Sequence, residues 1–281
     1  MESFVDVRGD DTSGSSAEGT PVAAASAPVQ ASERDTDLRW YGVARWSGIV
    51  AGGAFVVGSG LYAISSFGLG TGPEFTLTTW SAKEEATFMV AAFAWTRQHL
   101  WLLVLQALVI ALGYLAILPL MLAVNALTGA RRALVQLAAG LLAGAALFGV
   151  LSRVIYLAAC EFWRVTGWEN VPPEAMVAVG RQTGALSSLS AMIGEASFGI
   201  FAVGMAFLGA ACRSEARLPR WLAPVTWIGA ALVLAMVVVG EMPNTGYAGT
   251  VLSLLGGVVI APLVMIVLGV HLGRGSRSTT A

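Results

Sequence analysis

Six long apolar stretches, at 47–70, 100–124, 133–160, 189–212, 221–240 and 249–272, set the rhythm of the chain. Each reaches the roughly 20 largely apolar residues that a helix needs to cross a hydrocarbon core, and each is too long for a buried strand. The pattern predicts an all-α integral membrane bundle of six transmembrane helices, occupying 46–273. Connections 125–132, 213–220 and 241–248 are short, as between antiparallel neighbours. Connections 71–99 and 161–188 are long and carry helix-start signals. Ser81-Ala82-Lys83-Glu84 fits a capping box ahead of Phe88, Met89, Phe93 and Trp95. Pro172-Pro173-Glu174 puts proline at an early helical position. Short surface helices are therefore expected in the two long outer loops. A helix unbroken over 82–124 would be about 64 Å long, and would have to bend near Arg97 and His99 or project from the membrane.

The ends of the chain read differently. Residues 1–45 form an expected cytoplasmic tail, disordered at least to residue 37, because Ser, Ala, Asp, Glu, Gly and Pro there leave too few large apolar side chains to offset the entropy of folding. No basic region followed by an apolar core marks a signal peptide, and position 2 is Glu rather than the Gly needed for myristoylation. Residues 274–281 form a second, short tail. Orientation follows from basic residues near the span ends. With the N-terminus inside, Arg34, Arg39, Arg45, Arg131, Arg132, Arg213, Arg217, Arg220, Arg274 and Arg277 face the cytoplasm, against Lys83, Arg97, Arg164 and Arg181 outside. An even number of spans requires both termini on one side, so both counts predict cytoplasmic ends in a plasma (inner) membrane. Trp40, Trp46, Trp221 and Trp227 fall near the inner boundary and Trp95, Trp101, Trp163 and Trp168 near the outer one, as interfacial anchors do.

Composition agrees. Charged residues make up 12% against about 25% in soluble domains, and the mean hydropathy is +0.74. A net charge of −1 gives no electrostatic footprint for nucleic acid, so the bilayer is the expected partner, with self-association open. A single lysine among sixteen basic residues, with abundant Ala, Gly and Val, suggests a GC-rich bacterial genome. Cys160 and Cys212 are the only cysteines and fall at opposite faces, which rules out an intramolecular disulfide. His99 and His271 are split in the same way, so no paired histidines are available for haem or a transition metal, and no cofactor is expected.

Small residues four apart, Gly48/Gly52, Ala54/Gly58, Gly140/Gly144 and Ala145/Gly149, predict close intramolecular helix packing. Pro119 and Pro262 lie inside spans two and six and predict kinks, with freed carbonyls near mid-membrane at Pro262.

Chemistry-bearing residues are few. Nucleotide-binding, metalloprotease, redox and serine-hydrolase motifs are absent, and no Asp follows Asp37, so no enzyme reading assembles. What remains lies in the outer leaflet: a candidate polar pocket of Tyr62, Ser65, Gln106 and Tyr156, with Ser66 beside it, and a candidate buried ion pair of Arg153 and Glu195. Ionisable residues inside a span cost about 2.5–3.5 kcal/mol each to insert and are functional candidates for that reason. Arg153 lies seven residues before Cys160, and Glu195 eight after Ser187 on the oppositely running fourth span, so their depths match. Gly149, Ala146 and Ala145 below Arg153, and Ser188, Ala191, Gly199 and Ala202 around Glu195, predict that both project from faces packed on protein.

Gly194-Glu195-Ala196-Ser197-Phe198-Gly199, continuing through Arg213 to Leu218-Pro219-Arg220-Trp221-Leu222-Ala223-Pro224 and Gly229, resembles an uncharacterised family of bacterial six-span membrane proteins, a domain of unknown function. The likeness in layout covers 47–272 and implies six helices, with no activity, substrate or catalytic residue. Two functional classes fit these observations. One is a carrier or small-molecule binding protein with an outer-leaflet polar pocket, in which Glu195 exchanges a proton or meets a cation. The other is a non-transporting accessory or sensory subunit that acts through protein partners.

Overall fold

A computed structural model describes residues 27–64, 82–128, 132–164, 170–240 and 254–278. No strand occurs among them. The helices are α1 (Ala27–Ala63), α2 (Ala82–Thr128), α3 (Ala133–Arg164), α4 (Pro173–Ser214) and α5 (Leu222–Gly240), followed by a π-helical segment (Leu254–Ile260) that leads into α6 (Ala261–Ser278). Contacts divide the chain into Met1–Thr36 and the bundle, Asp37–Ala281. Five stretches are long and apolar enough to cross a membrane: Lys83–Thr128, Ala133–Phe162, Pro173–Ser214, Leu222–Val239 and Leu255–Arg274. That is the build of a multi-pass membrane protein.

Glycine decides how closely the helices approach. A Cβ on Gly48 would stand 2.6 Å from the Met265 carbonyl oxygen and 2.8 Å from the Gly269 Cα, and one on Gly52 2.6 Å from the Pro262 carbonyl oxygen. Numbers rise along α1 as they fall along α6, so the two run antiparallel with backbones in contact. On its other side α1 meets α2, where a Cβ on Gly58 would fall 2.5 Å from Ile110 and one on Gly113 3.3 Å from the Ala54 Cβ. Small residues thus wedge α1 between α2 and α6 where no lipid fits. Of the four predicted pairs, Gly48/Gly52 and Ala54/Gly58 make these seams, and Ala145/Gly149 lies against neighbouring helices. Gly140 and Gly144 do not, since a Cβ at either meets nothing within 4 Å.

The main core joins Ile117, Leu120, Met121 and Val124 of α2 to Leu142 of α3, Met205 and Leu208 of α4, Leu222 at the start of α5, and Met265 and Leu268 of α6. A second, smaller cluster lies at the N-terminal ends of α2 and α4, where Ala86 and Phe93 pack on Met176 and Val177. Glu85 and Arg181 pair beside it at 3.3 Å, and a Cβ on Gly180 would collide with Met89.

This second cluster corrects one expectation. The short surface helices foreseen in the outer loops are, within the described residues, continuous with the spans that follow them. No proline interrupts α2 before Pro119 or α4 after Pro173, and the apolar pattern runs on to the second cluster. Of the two outcomes foreseen for 82–124, α2 has the continuous helix, unbroken at Arg97 and His99. The tail is corrected too. Residues 27–45 lie in α1, because Ala, Gln, Glu, Arg and Leu favour helix and lengthening a packed helix carries no nucleation cost. Residues 1–26, like 65–81, 129–131, 165–169, 241–253 and 279–281, lie outside the described residues. The disruption expected at Pro262 is present as the π-helical segment just before it, one of the known accommodations of a broken hydrogen-bond ladder.

Candidate functional site

The α3–α4 seam positions the charged residues. Ser152 Oγ donates to the Ser190 carbonyl at 2.9 Å, and Ser190 Oγ returns the bond to the Ser152 carbonyl at 2.9 Å. Two turns along, Ser197 Oγ donates to the Ala145 carbonyl at 2.8 Å. Hydroxyls that face hydrocarbon have no water to turn to, so carbonyls across the seam serve them. Gly194 lets the helices close, since a Cβ there would lie 3.2 Å from Ser152 Oγ.

Two antiparallel right-handed helices turn the residue after each contact residue to the same side of their seam. Arg153 follows Ser152 and Glu195 follows Gly194, so both flank the same side. At the register set by Ser152 against Ser190 and Gly194, Glu195 sits about four residues deeper than Arg153, about 6 Å at the helical rise. Side chains lean toward their own helix N-terminus, which directs Arg153 inward and Glu195 outward, toward each other. Neither occupies the packed face as the sequence suggested. Arg153 is half-buried and Glu195 exposed, while Ser190, Gly194, Ser197 and Phe201 fill the face.

Around Arg153 the bundle supplies tyrosines. Tyr114 of α2 is 4% exposed and lies close to both Arg153 and Ser197. Gly149 makes room for its ring, since a Cβ there would fall 2.5 Å from the ring carbon bearing the hydroxyl, and Phe55 of α1 meets the ring edge-on at 5.0 Å. Tyr156, one turn outward of Arg153, lies within electrostatic range of both Arg153 and Tyr62 of α1. The α1–α2 register, Gly58 at Ile110, carries Tyr62 to the height of Gln106, which is buried. Tyr62, Gln106 and Tyr156 therefore share one layer with Arg153 just beneath it. Ser65 and Ser66 lie outside the described residues. Within this layer the Arg153 Nε is buried without a hydrogen-bond partner.

Sequence reasoning missed Tyr114 and Ser197. A signal was present for Ser197, because Ser190, Gly194 and Ser197 recur at helical spacing and mark a small, hydroxyl-bearing stripe. It also missed a second constellation at the other end of the bundle. Arg132 pairs with Glu215, whose side chain is 7% exposed, and Arg217 donates to the Leu127 carbonyl at the C-terminal end of α2. Nearby, the Arg213 guanidinium stacks over Trp227 at 5.6 Å, and Trp227 Nε1 donates to the Ala206 carbonyl at 3.0 Å.

Cys160 and Cys212 are free and buried, near the C-terminal ends of antiparallel α3 and α4 and so at opposite ends of the bundle, as expected. His99 Nδ1–H donates to the Trp95 carbonyl at 2.8 Å on α2, and His271 is exposed on α6. The chain matches no family model, no curated protein and no solved structure.

Proposed function

We propose that this is a six-span protein of a bacterial plasma membrane, with both ends cytoplasmic, that binds a small molecule in the polar layer around Arg153, as a carrier or receptor for it. The observation that carries the reading is the buried Arg153 Nε with no hydrogen-bond partner, in a layer shared with Tyr62, Gln106 and Tyr156. A guanidinium inside a span is costly, and ordinary structural arginines use their donors. The first span is α1, whose glycine seams on α2 and α6 hold it within the bundle. Exposed Trp46, Trp221 and Trp227 toward one end and Trp101 toward the other suit the two interfaces.

Flux of candidate solutes into proteoliposomes at several pH values, with wild type beside Arg153→Met, tests the reading. Arg153-dependent flux or saturable binding is expected. A folded protein with neither would overturn it. The alternative, an accessory subunit, draws on the paired N-terminal ends of α2 and α4, which precede the apolar stretches 100–124 and 189–212 and offer a partner a surface. It predicts co-purification of a membrane partner that is lost when that pair is disrupted at Phe93 and leaves solute binding at zero.

A further inference from the structure

Resting on the small-molecule reading above, we infer that the polar layer recognises the carboxylate of a small organic anion, gripped by the Arg153 guanidinium. Arg153 offers planar donors on Nε and the two Nη groups, and the Nε donor has no acceptor among the described residues although it is buried. A guanidinium edge matches two carboxylate oxygens with parallel hydrogen bonds, a geometry that neither a neutral ligand nor a cation reproduces.

The neighbours point the same way. Tyr114, close to Arg153, is a phenol and supplies no negative charge to balance the guanidinium. Tyr156 and Tyr62 line the outward side, where aromatic faces suit an apolar ligand body. Tyr62 is 49% exposed and Arg153 half-buried, so the neighbouring helices do not seal the layer. A full charge at this depth needs a counterion. Glu195, on the same side of the α3–α4 seam, is placed to serve when the site is empty, so an incoming carboxylate competes with it.

Three probes of one size separate the chemistry: benzoate, benzamide and benzylammonium, titrated calorimetrically into the full chain in lipid nanodiscs. Benzoate is expected to bind roughly ten- to hundredfold tighter than benzamide, the worth of a charge-assisted hydrogen-bond pair. Arg153→Lys, which keeps the charge and loses the fork, should remove most of that preference, and Glu195→Gln should tighten benzoate. Should Arg153→Met fail to fold, the wild-type preference and the lysine variant still decide. Equal binding of all three probes, unchanged in Arg153→Lys, would overturn the anion assignment while leaving a small-molecule site. Preference for benzylammonium, abolished by Glu195→Gln, would overturn it in favour of a cation site. A folded protein that binds none of the three overturns the anion assignment, and saturable uptake of another solute would then show that the broader reading survives.

Discussion

Gly48→Ala should loosen the α1–α6 seam, and the structure gives the size of the effect. The added Cβ would stand 2.6 Å from the Met265 carbonyl oxygen, against 3.4 Å for the near edge of ordinary contact, a shortfall of 0.8 Å. Both obstacles, that oxygen and the Gly269 Cα at 2.8 Å, are backbone and cannot rotate away. The helices must part, which costs about 1–3 kcal/mol by analogy with overpacked cores. Alanine also gains about 1 kcal/mol over glycine in helix propensity, which would mask part of that cost in a single measurement. Gly140→Ala supplies the correction, since its Cβ meets nothing within 4 Å and it gains the same propensity without the clash. The difference between the two substitutions isolates packing and should be about 1–3 kcal/mol in disfavour of Gly48→Ala. Reversible unfolding in mixed-detergent micelles, followed by tryptophan fluorescence, measures it. Equal stabilities, within about 0.5 kcal/mol, would refute the seam.

Arg132→Met should destabilise by about 1–3 kcal/mol, because it leaves the buried Glu215 carboxylate unsatisfied; adding Glu215→Gln should recover part of that loss in the same unfolding assay, and a double mutant worse than Arg132→Met would count against the clamp. A double-mutant cycle on Arg153→Met and Glu195→Gln should show favourable coupling of about 1 kcal/mol, within the range of polar contacts in membranes, and strictly additive losses would mean the two groups do not interact. Cysteines placed at Ser13 and Ser81 of a Cys-free variant should label differently with an impermeant reagent on intact cells, Ser81 reacting and Ser13 protected; the reverse pattern would invert the orientation.

Much of the fold was legible because lipid simplifies the code. Long apolar runs located α2 to α6 to within a few residues at their inner ends, since backbone polar groups in hydrocarbon must close on themselves as helix. Continuity was harder to read. Whether α2 and α4 start at the membrane or well before it depends on Phe93 finding Met176 and Val177, a pairing between segments about 80 residues apart. Face assignment failed at Glu195 because α4 carries Ala and Gly on most sides, so small residues near a position do not say which face packs. The serines resolve it, since Ser190 and Ser197 bond across the seam and place Glu195 one residue off the packed stripe. Arg132 and Arg217 counted only as charge in the orientation argument. Their partners, Glu215 and the Leu127 carbonyl, come from a hairpin packing on a hairpin, which no local pattern encodes.

The arginines separate by how their donors are used. At one end of the bundle Arg132 reaches a buried carboxylate and Arg217 a helix-terminal carbonyl, so two connections are tied by cations that have acceptors within the protein. Such contacts need no ligand to explain them. Arg153 lies within a span, flanked by tyrosines, and it keeps a buried donor with no acceptor among the described residues. Burying a polar group without a partner costs free energy whatever its role, and inside hydrocarbon water is not there to offset that cost. The arrangement leaves one guanidinium donor open beside Tyr62 and Tyr156, which is what the proposed anion site requires before its ligand displaces Glu195.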